Sequence, residues 1–279
     1  MTINISFFKK ELKKWYKENH RSFTWRSTTD PWKILLIETL SQQTQLERAN
    51  DFYKRFIDRY PTPQKMANDS KKEVLKLWSG LGYNNRAIRL HETSKILAKT
   101  SFKELYPNFS VLPGVGSYTN SALLSFAYGK KVIAVDTNIK RIFQRFFKIQ
   151  EKDIANFIKR NQNLLLRGFD SRDFNQALMD LGSTICKSKQ PKCFSCPLEE
   201  NCNKFITENN KNQQKFEGSF RQKRGLVLKI LLSREKVTKQ MIEEELKLSN
   251  EVAGEVLDSL VRDGLIEFSR NKFIVINDN

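Results

Sequence analysis

Residues 112–141 read LPGVGSYTNSALLSFAYGKKVIAVDTNIKR, and this stretch decides the fold. Pro113 fixes its own φ, and Gly114 and Gly116 permit conformations or close approaches that a Cβ would forbid. Leu112-Pro113-Gly114-Val115-Gly116 is therefore a sharp turn with backbone N–H groups left pointing outward. Residues 119–128 follow as a helix with Leu123, Leu124, Ala127 and Tyr128 on an apolar face, so the turn sits at a helix N-terminus, where an anion such as a phosphate is favoured. Val132-Ile133-Ala134-Val135 then ends in Asp136-Thr137-Asn138, and a basic helix over 139–147 places Asp136 where it can cap. Each half alone has a plainer explanation, a helix break and an N-cap. What the pair does depends on the rest of the chain.

Composition narrows the partners. A chain of 279 residues with 39% apolar content supports a sizeable core and two or more domains. The formal net charge of +18 points to a polyanion. Residues 219–279 hold 11 Lys+Arg against 10 Asp+Glu, which leaves +17 on 1–218 and assigns the basic surface there. No apolar run approaches the roughly 20 residues that span a bilayer, and no signal-peptide core opens the chain, so a soluble cytoplasmic, nucleoid-associated protein is expected. With only His20 and His91, a histidine metal site or a Ser-His-Asp triad is poorly supported, and no Gly-Lys-Ser/Thr phosphate loop occurs.

Helical periodicity organises most of the chain. Residues 5–18 are amphipathic, and a polar loop over 22–30 carries Trp25-Arg26. A helix is expected across 31–53, with Pro31 near its start and one acid, Glu38, interrupting its most apolar run. On such a helix Glu38, Ser41, Gln42 and Gln45 form one polar stripe. A stripe of this kind is usually a solvated face, but a carboxylate at the edge of so apolar a run is liable to a raised pKa. Helices over 62–77 and 85–99 flank a glycine turn that presents Tyr83, and further helices are expected over 151–166 and 172–185.

The four cysteines fall in one cluster, Cys186-x6-Cys193-x2-Cys196-x5-Cys202. In a cytosolic setting this means a metal centre rather than disulfides, and spacing alone leaves structural zinc and an iron–sulfur cubane open. A polar stretch over 203–218 resembles a linker. Beyond it, helices over 221–232, 238–246 and 250–263 and a hairpin turning at Arg270-Asn271 make a winged-helix pattern. Its third helix carries Glu251, Glu255, Asp258 and Asp263, which suits packing or partner binding better than a DNA groove.

Over roughly residues 23–202 these pieces together resemble the helix-hairpin-helix DNA glycosylases, and within them the adenine glycosylases that act opposite 8-oxoguanine. LPGVG followed by VDTN resembles that superfamily's hairpin and catalytic aspartate. The subfamily is indicated jointly by Glu38 with SQQTQ, by GLGYNNRAIRLH and by FNQALMDLGSTIC. With the small C-terminal winged-helix-like α+β domain read from the residues, the chain is expected to divide into a cluster module (1–29 and 129–205), a six-helix module (30–128), a linker (206–218) and the winged-helix-like domain (219–279). The resemblance implies an all-α helix-hairpin-helix fold for the first two. It also implies a [4Fe–4S] cluster on Cys186, Cys193, Cys196 and Cys202, and a monomer bound to double-stranded DNA bearing a mismatched or damaged pair.

By the same resemblance, Glu38 is the general acid that protonates adenine. Asp136 is the carboxylate that stabilises the oxocarbenium ion, and Asn138 positions the acid. Gln42 and Tyr83, with neighbouring Gln43, enter the duplex where the base leaves; Arg26 and Gln176 meet the flipped base; Gly114, Val115 and Gly116 grip the backbone. Tyr118 stands where lyase-competent relatives have lysine, and without that amine no Schiff base forms there, which implies a monofunctional enzyme. The usual bacterial adenine glycosylases carry a β-rich C-terminal reader of 8-oxoguanine, whereas this chain has the winged-helix pattern, so only modest discrimination of the opposite base is expected. Two other readings are a thymine/uracil mismatch glycosylase acting opposite guanine, disfavoured by QQTQ, and a non-catalytic DNA-binding module, which leaves Glu38 with Asp136 unexplained.

Overall fold

A computed structural model of the protein describes residues 4–205, 215–234 and 236–276, so 206–214 of the expected linker lie outside the described residues. Helix α1 (Ile5–Asn19) starts at Asn4, whose side chain accepts from Phe7 N, and buries Phe8 and Leu12. Asp30 accepts from the backbone of Trp32 (2.9 Å) and opens α2 (Pro31–Ser41). The single helix expected over 31–53 is in fact two. α2 stops at Ser41, Gln43 turns left-handed at φ 53°, and α3 (Leu46–Arg59) starts afresh. The polar stripe expected of one continuous helix is therefore absent, because Gln42 and Gln45 lie off α2.

The expected 62–77 helix is likewise divided. Thr62 caps α4 (Pro63–Ala67) and Ser70 caps α5 (Lys71–Trp78), each accepting from the N–H three residues on. α6 (Asn85–Lys99) matches its expectation, and the short α7 (Phe102–Leu105) follows. After the glycine turn come α8 (Ser117–Phe126), α9 (Thr137–Phe147), α10 (Ile154–Leu166) and α11 (Ser171–Thr184), the last capped by Asp170.

The C-terminal part holds α12 (Phe220–Ser233), α13 (Lys239–Leu246) and α14 (Asn250–Arg262), then antiparallel β1 (Ile266–Ser269) and β2 (Lys272–Val275) in the register Ile266↔Val275 to Ser269↔Lys272. Arg270 and Asn271 both take positive φ (49° and 61°), as a two-residue type I′ turn requires. The described chain is thus mostly helical with one small strand pair, and none of its helices is long and apolar enough to cross a membrane.

Two compact units result. The first comprises the described residues of Met1–Leu35, Pro107–Ser110 and Val115–Asn210. Its core is aromatic: the Phe8 ring stands 4.8 Å from Phe146, 4.9 Å from Phe147 and 5.9 Å from Phe143, which locks α1 against α9. Such pairs add about 0.5–1.5 kcal/mol each beyond their buried area. The second unit takes the described residues of Leu36–Tyr106, Val111–Gly114 and Lys211–Asn279. Phe56 meets Trp78 edge-on at 5.7 Å in its core, and Val227 and Leu231 of α12 belong to a buried set with Val256, Leu257 and Leu260 of α14.

Candidate active site

In the second unit Glu38 lies on α2 between fully packed neighbours, 6% exposed, with Ile37 and Leu40 also buried. Burial of this kind disfavours the ionised form of a carboxyl. The carbonyls at the end of α2 need partners, and the structure supplies them from α6. Arg86 donates from Nη1 to the carbonyl oxygens of Thr39 (3.0 Å), Leu40 (3.1 Å) and Gln42, and from Nη2 to Gly82 O (3.1 Å). Its guanidinium also lies 4.9 Å from the Trp78 ring centre and 5.7 Å from that of Tyr83. Burial lowers the Arg86 pKa to about 10, which leaves it cationic at neutral pH.

One buried arginine therefore ties the turn that carries Gln42 to the turn that carries Tyr83. Tyr83 is itself left-handed (φ 49°) and 41% exposed, after positive-φ glycines at 80 and 82. Gln43 is exposed and stands apart from this network.

Of the two hairpin glycines only Gly114 has the expected geometry; Gly116 sits at φ −85° with open space where a Cβ would stand. Gly114 adopts φ +80°, and a Cβ there would press on Arg89 Cβ at 3.2 Å. Thr93 Oγ1 holds the turn by donating to Pro113 O (2.9 Å), while Val115 is buried and Gly116 caps α8. Tyr118, the second residue of α8, is half-buried.

In the first unit Asp136 is the N-cap of α9: Oδ1 accepts from Ile139 N and Oδ2 from Asn138 Nδ2, both at 2.7 Å. Asn138 Oδ1 in turn accepts from Arg141 Nη2 (2.7 Å), and Arg141 also donates to Gly182 O (2.8 Å) and, from Nε, to Cys186 O (2.7 Å). A polar relay thus runs from the first cysteine of the cluster to the carboxylate. Burial pushes the Asp136 carboxyl above its ordinary value, against the opposing pull of the Ile139 and Asn138 hydrogen bonds and the Arg141 charge. A helix N-terminus favours the ionised form of its cap, but desolvation outweighs that effect here.

α11 is the spine of this half. Asn175, fully buried, accepts from Ala134 N (2.8 Å) and donates to Val132 O (2.9 Å), pinning the segment that leads into Asp136. Gln176 accepts from Tyr16 Oη (2.9 Å), a phenol that burial pushes up to about 12. Gly182 lets α9 approach, since a Cβ there would stand 2.5 Å from Asn138 Cβ. Arg26 is held in a fork with buried Asp180 (2.7 and 2.6 Å), and Arg21 Nε donates to the same carboxylate (2.7 Å). Burial opposes ionisation of Asp180, but these partners prevail and hold its carboxyl below the usual range. Among the described residues, Arg26 Nε and Trp25 Nε1 are buried donors without a partner.

Sequence reasoning passed over Arg86, Arg141, Asn175, Asp180 and Gly182. A signal existed for three of them. Along α11, Asp180 repeats Gln176 at i+4 and Gly182 repeats Asn175 at i+7, so polar or small residues recur on faces that also carry Phe174, Leu178 and Leu181.

The four cysteines are free and half-buried. Burial raises the Cys196 thiol to about 11, and nearby Cys186, Cys202 and Cys193 push the same way. Arg145 Nη1 donates to Cys186 Sγ and Lys204 N to Cys202 Sγ, each at 3.4 Å. Among the described residues no group of three or more Cys, His, Asp or Glu side chains is arranged to hold a metal ion as it stands.

Comparison with known proteins places these features in context. Residues 37–164 match the HhH-GPD superfamily base excision DNA repair protein family. The chain is 33% identical over 267 residues to the adenine DNA glycosylase of Mycobacterium tuberculosis (strain ATCC 25618 / H37Rv), covering 90% of this chain and 88% of that one. It is 32% identical over 269 residues to the adenine DNA glycosylase of Mycolicibacterium smegmatis, covering 92% of each. Among solved structures, a thermostable thymine-DNA glycosylase superposes with TM-score 0.65 at 29% identity, covering 72% of this chain and 96% of that one. A non-covalent endonuclease III–DNA complex superposes with TM-score 0.64 at 24% identity over 73% and 96%.

Proposed function

Since the chain belongs to the HhH-GPD superfamily of base excision DNA repair proteins and is a DNA glycosylase that hydrolyses N-glycosidic bonds, we propose that the base it releases is adenine mispaired with 8-oxoguanine or guanine. The observation that carries this is the match to adenine glycosylases over 90% of the chain, which cannot avoid the C-terminal residues 219–279. The likeness to a thymine-DNA glycosylase covers 72%. It makes thymine opposite guanine the reading to test against.

The chemistry asks for two carboxyl groups in different states. Adenine is a poor leaving group until a ring nitrogen is protonated, and Glu38, buried beside Ile37 and Leu40, is suited to hold that proton. As the glycosidic bond breaks, its electron pair goes to the protonated base and positive charge develops on the sugar. Asp136, whose two oxygens are fixed by Ile139 N and Asn138, is the counter-charge, and a water completes the hydrolysis. Tyr118 has no amine, so the enzyme is monofunctional. Gln42 and Tyr83 fill the gap left by the extruded base, and Arg26 and Gln176 face it. Gly114, Val115 and Gly116 hold the backbone of a DNA duplex bound by a monomer.

Cys186, Cys193, Cys196 and Cys202 would hold a [4Fe–4S] cluster. Four thiols with N–H donors from Arg145 and Lys204 aimed at their sulfurs are a donor set suited to it. The bound group supplies a redox-capable four-thiolate cross-link. Arg141 and Arg145 fasten the 186–188 carbonyls to α9 from the protein side.

Single-turnover base release from A:8-oxoguanine, A:G, T:G and U:G duplexes tests the reading. Adenine is expected fastest, and faster thymine or uracil release overturns it. Glu38→Gln and Asp136→Asn should each abolish release while still binding DNA. Anaerobically prepared protein should carry iron and inorganic sulfide with broad visible absorbance; stoichiometric zinc instead removes the cluster.

A further inference from the structure

The near-neutral charge of residues 219–279 conceals a separation. α12 carries Arg221, Lys223, Arg224 and Lys229 and no acid, whereas Glu243, Glu244 and Glu245 lie on α13 and Glu251, Glu255 and Asp258 on α14. The acidic α14 packs through Ala253, Val256, Leu257 and Leu260. Arg224 is anchored to Asp263 and Ser259. The basic helix buries Val227, Leu228 and Leu231 on one side and on another lies beside the turns at Gln42 and Tyr83.

These elements enclose a groove of about 1540 Å³ within the second unit, lined by Gln42, Arg48, Tyr83 and Arg89 on one side and by Arg221 and Lys229 of α12 on the other. It exceeds the roughly 300–1,000 Å³ of a small-molecule pocket. Arg221 Nη1 donates to Tyr83 Oη at 3.2 Å, so the C-terminal module touches the tyrosine at the gap. α12 borders the groove along its length, from Phe220 and Arg221 at its start to Leu228, Lys229 and Leu232 near its end.

We propose that this groove is a binding site for the DNA strand opposite the excised base, with α12 as one wall. The inference rests on the placement of Gln42 and Tyr83 at the gap in the duplex. Glu38 is not among the groove's lining residues, so the groove is not the pocket of the released base. A groove beside the wedge whose lining holds Arg48, Arg89, Arg221 and Lys229, against Asp263 as its acid, then receives the polyanion that remains there, the unexcised strand. Arg221 and Lys229 contact its phosphates, while Gln42 and Tyr83 reach the base facing the gap. The charge expected only on residues 1–218 is thus joined by a second contribution from α12, which averaging over the module had hidden.

Binding is measured on full-length protein with a duplex containing a non-cleavable adenosine analogue opposite 8-oxoguanine, which keeps the result independent of catalysis. Adenine release by the unaltered protein is scored separately and tests the functional reading alone. Charge reversal at Arg221→Glu with Lys229→Glu should weaken binding roughly tenfold at 0.2 M salt and reduce the salt slope by roughly 2, at about 0.9 per phosphate contact. An unchanged slope in a folded variant overturns the proposal. Should that pair fail to fold, the exposed Lys229→Glu alone should reduce the slope by roughly 1. A second measurement uses the unaltered protein and a single 4-thiothymidine in either strand. Photo-cross-links should reach residues 220–229 from the strand opposite adenine; cross-links from the adenine strand only, or none to α12, overturn it.

Discussion

Arg141 holds Asn138 by a 2.7 Å bond from Nη2 to Oδ1, and Asn138 passes that constraint to Asp136 Oδ2 at the same distance. Without the guanidinium the amide is free to rotate, and the carboxylate keeps only its backbone partners, the N–H groups of Ile139 and Asn138. Arg141→Ala should therefore lower single-turnover base release about 100-fold, the scale on which a small misplacement of a reacting group acts. Rates on a cleavable duplex at saturating protein check this; a fall below threefold would show that Asp136 is placed by its cap alone.

Gly182 sits where a Cβ would stand 2.5 Å from Asn138 Cβ. Gly182→Ala must push α9 and α11 apart, at a cost of about 1–3 kcal/mol for overpacking. A melting temperature lowered by several degrees is expected together with slower base release, because the displaced residue is Asn138. Thermal unfolding and a rate measurement on the same preparation report both.

Asp136 carries a pH signature. Burial raises its pKa in the folded state, so at neutral pH the fold bears a desolvated charge, and that penalty is relieved as pH falls through the raised value toward the ordinary carboxyl range near 4. Asp136→Asn removes the titration. The melting temperature of the variant relative to the unaltered protein should therefore rise between about pH 4 and pH 7. A difference that stays flat or runs the other way would mean that the hydrogen bonds, not burial, dominate.

How far the sequence revealed these arrangements depended on distance along the chain. Signals within a few residues were legible: Asp136 as a cap, the positive-φ turn at Arg270-Asn271, and the 85–99 helix all stand as expected. The end of α2 was not, because Gln and Thr tolerate a helix and the break depends on Arg86, a partner 47 residues from Thr39. The break at Asn68-Asp69-Ser70 was local and readable, since Ser70 is an ordinary N-cap. Likewise Arg26 drew notice only through the family resemblance, and its fork on Asp180, 154 positions away, left no local signal. Tertiary partners of that kind leave only a spacing pattern on α11.

Arg86 predicts a graded loss. Lysine keeps the charge but cannot donate to the carbonyls of Thr39 and Gln42 and to Gly82 O in one plane. Arg86→Lys should fold less stably by about 1–3 kcal/mol, the cost of leaving buried carbonyls unpaired. It should also bind mismatched duplex more weakly, as the turns bearing Gln42 and Tyr83 loosen. Denaturant unfolding and duplex titration check the two effects; wild-type stability would mean that water replaces the guanidinium.

The opposite base supplies the sharpest outcome. The cations along α12, Arg221 and Lys229, are suited to phosphates, and phosphate contacts give affinity without sequence information. What can distinguish 8-oxoguanine from guanine is then the polar pair proposed for the gap, Gln42 and Tyr83, both held by Arg86. One or two such contacts are worth about 1–3 kcal/mol, so adenine should leave about 10–100-fold faster opposite 8-oxoguanine than opposite guanine. Gln42→Ala should erase most of that ratio, while Lys229→Glu should weaken binding to both duplexes alike and leave the ratio standing. Single-turnover rates at saturating protein separate the two. A ratio that collapses with Lys229→Glu would make α12 a reader of the base rather than a hold on its strand.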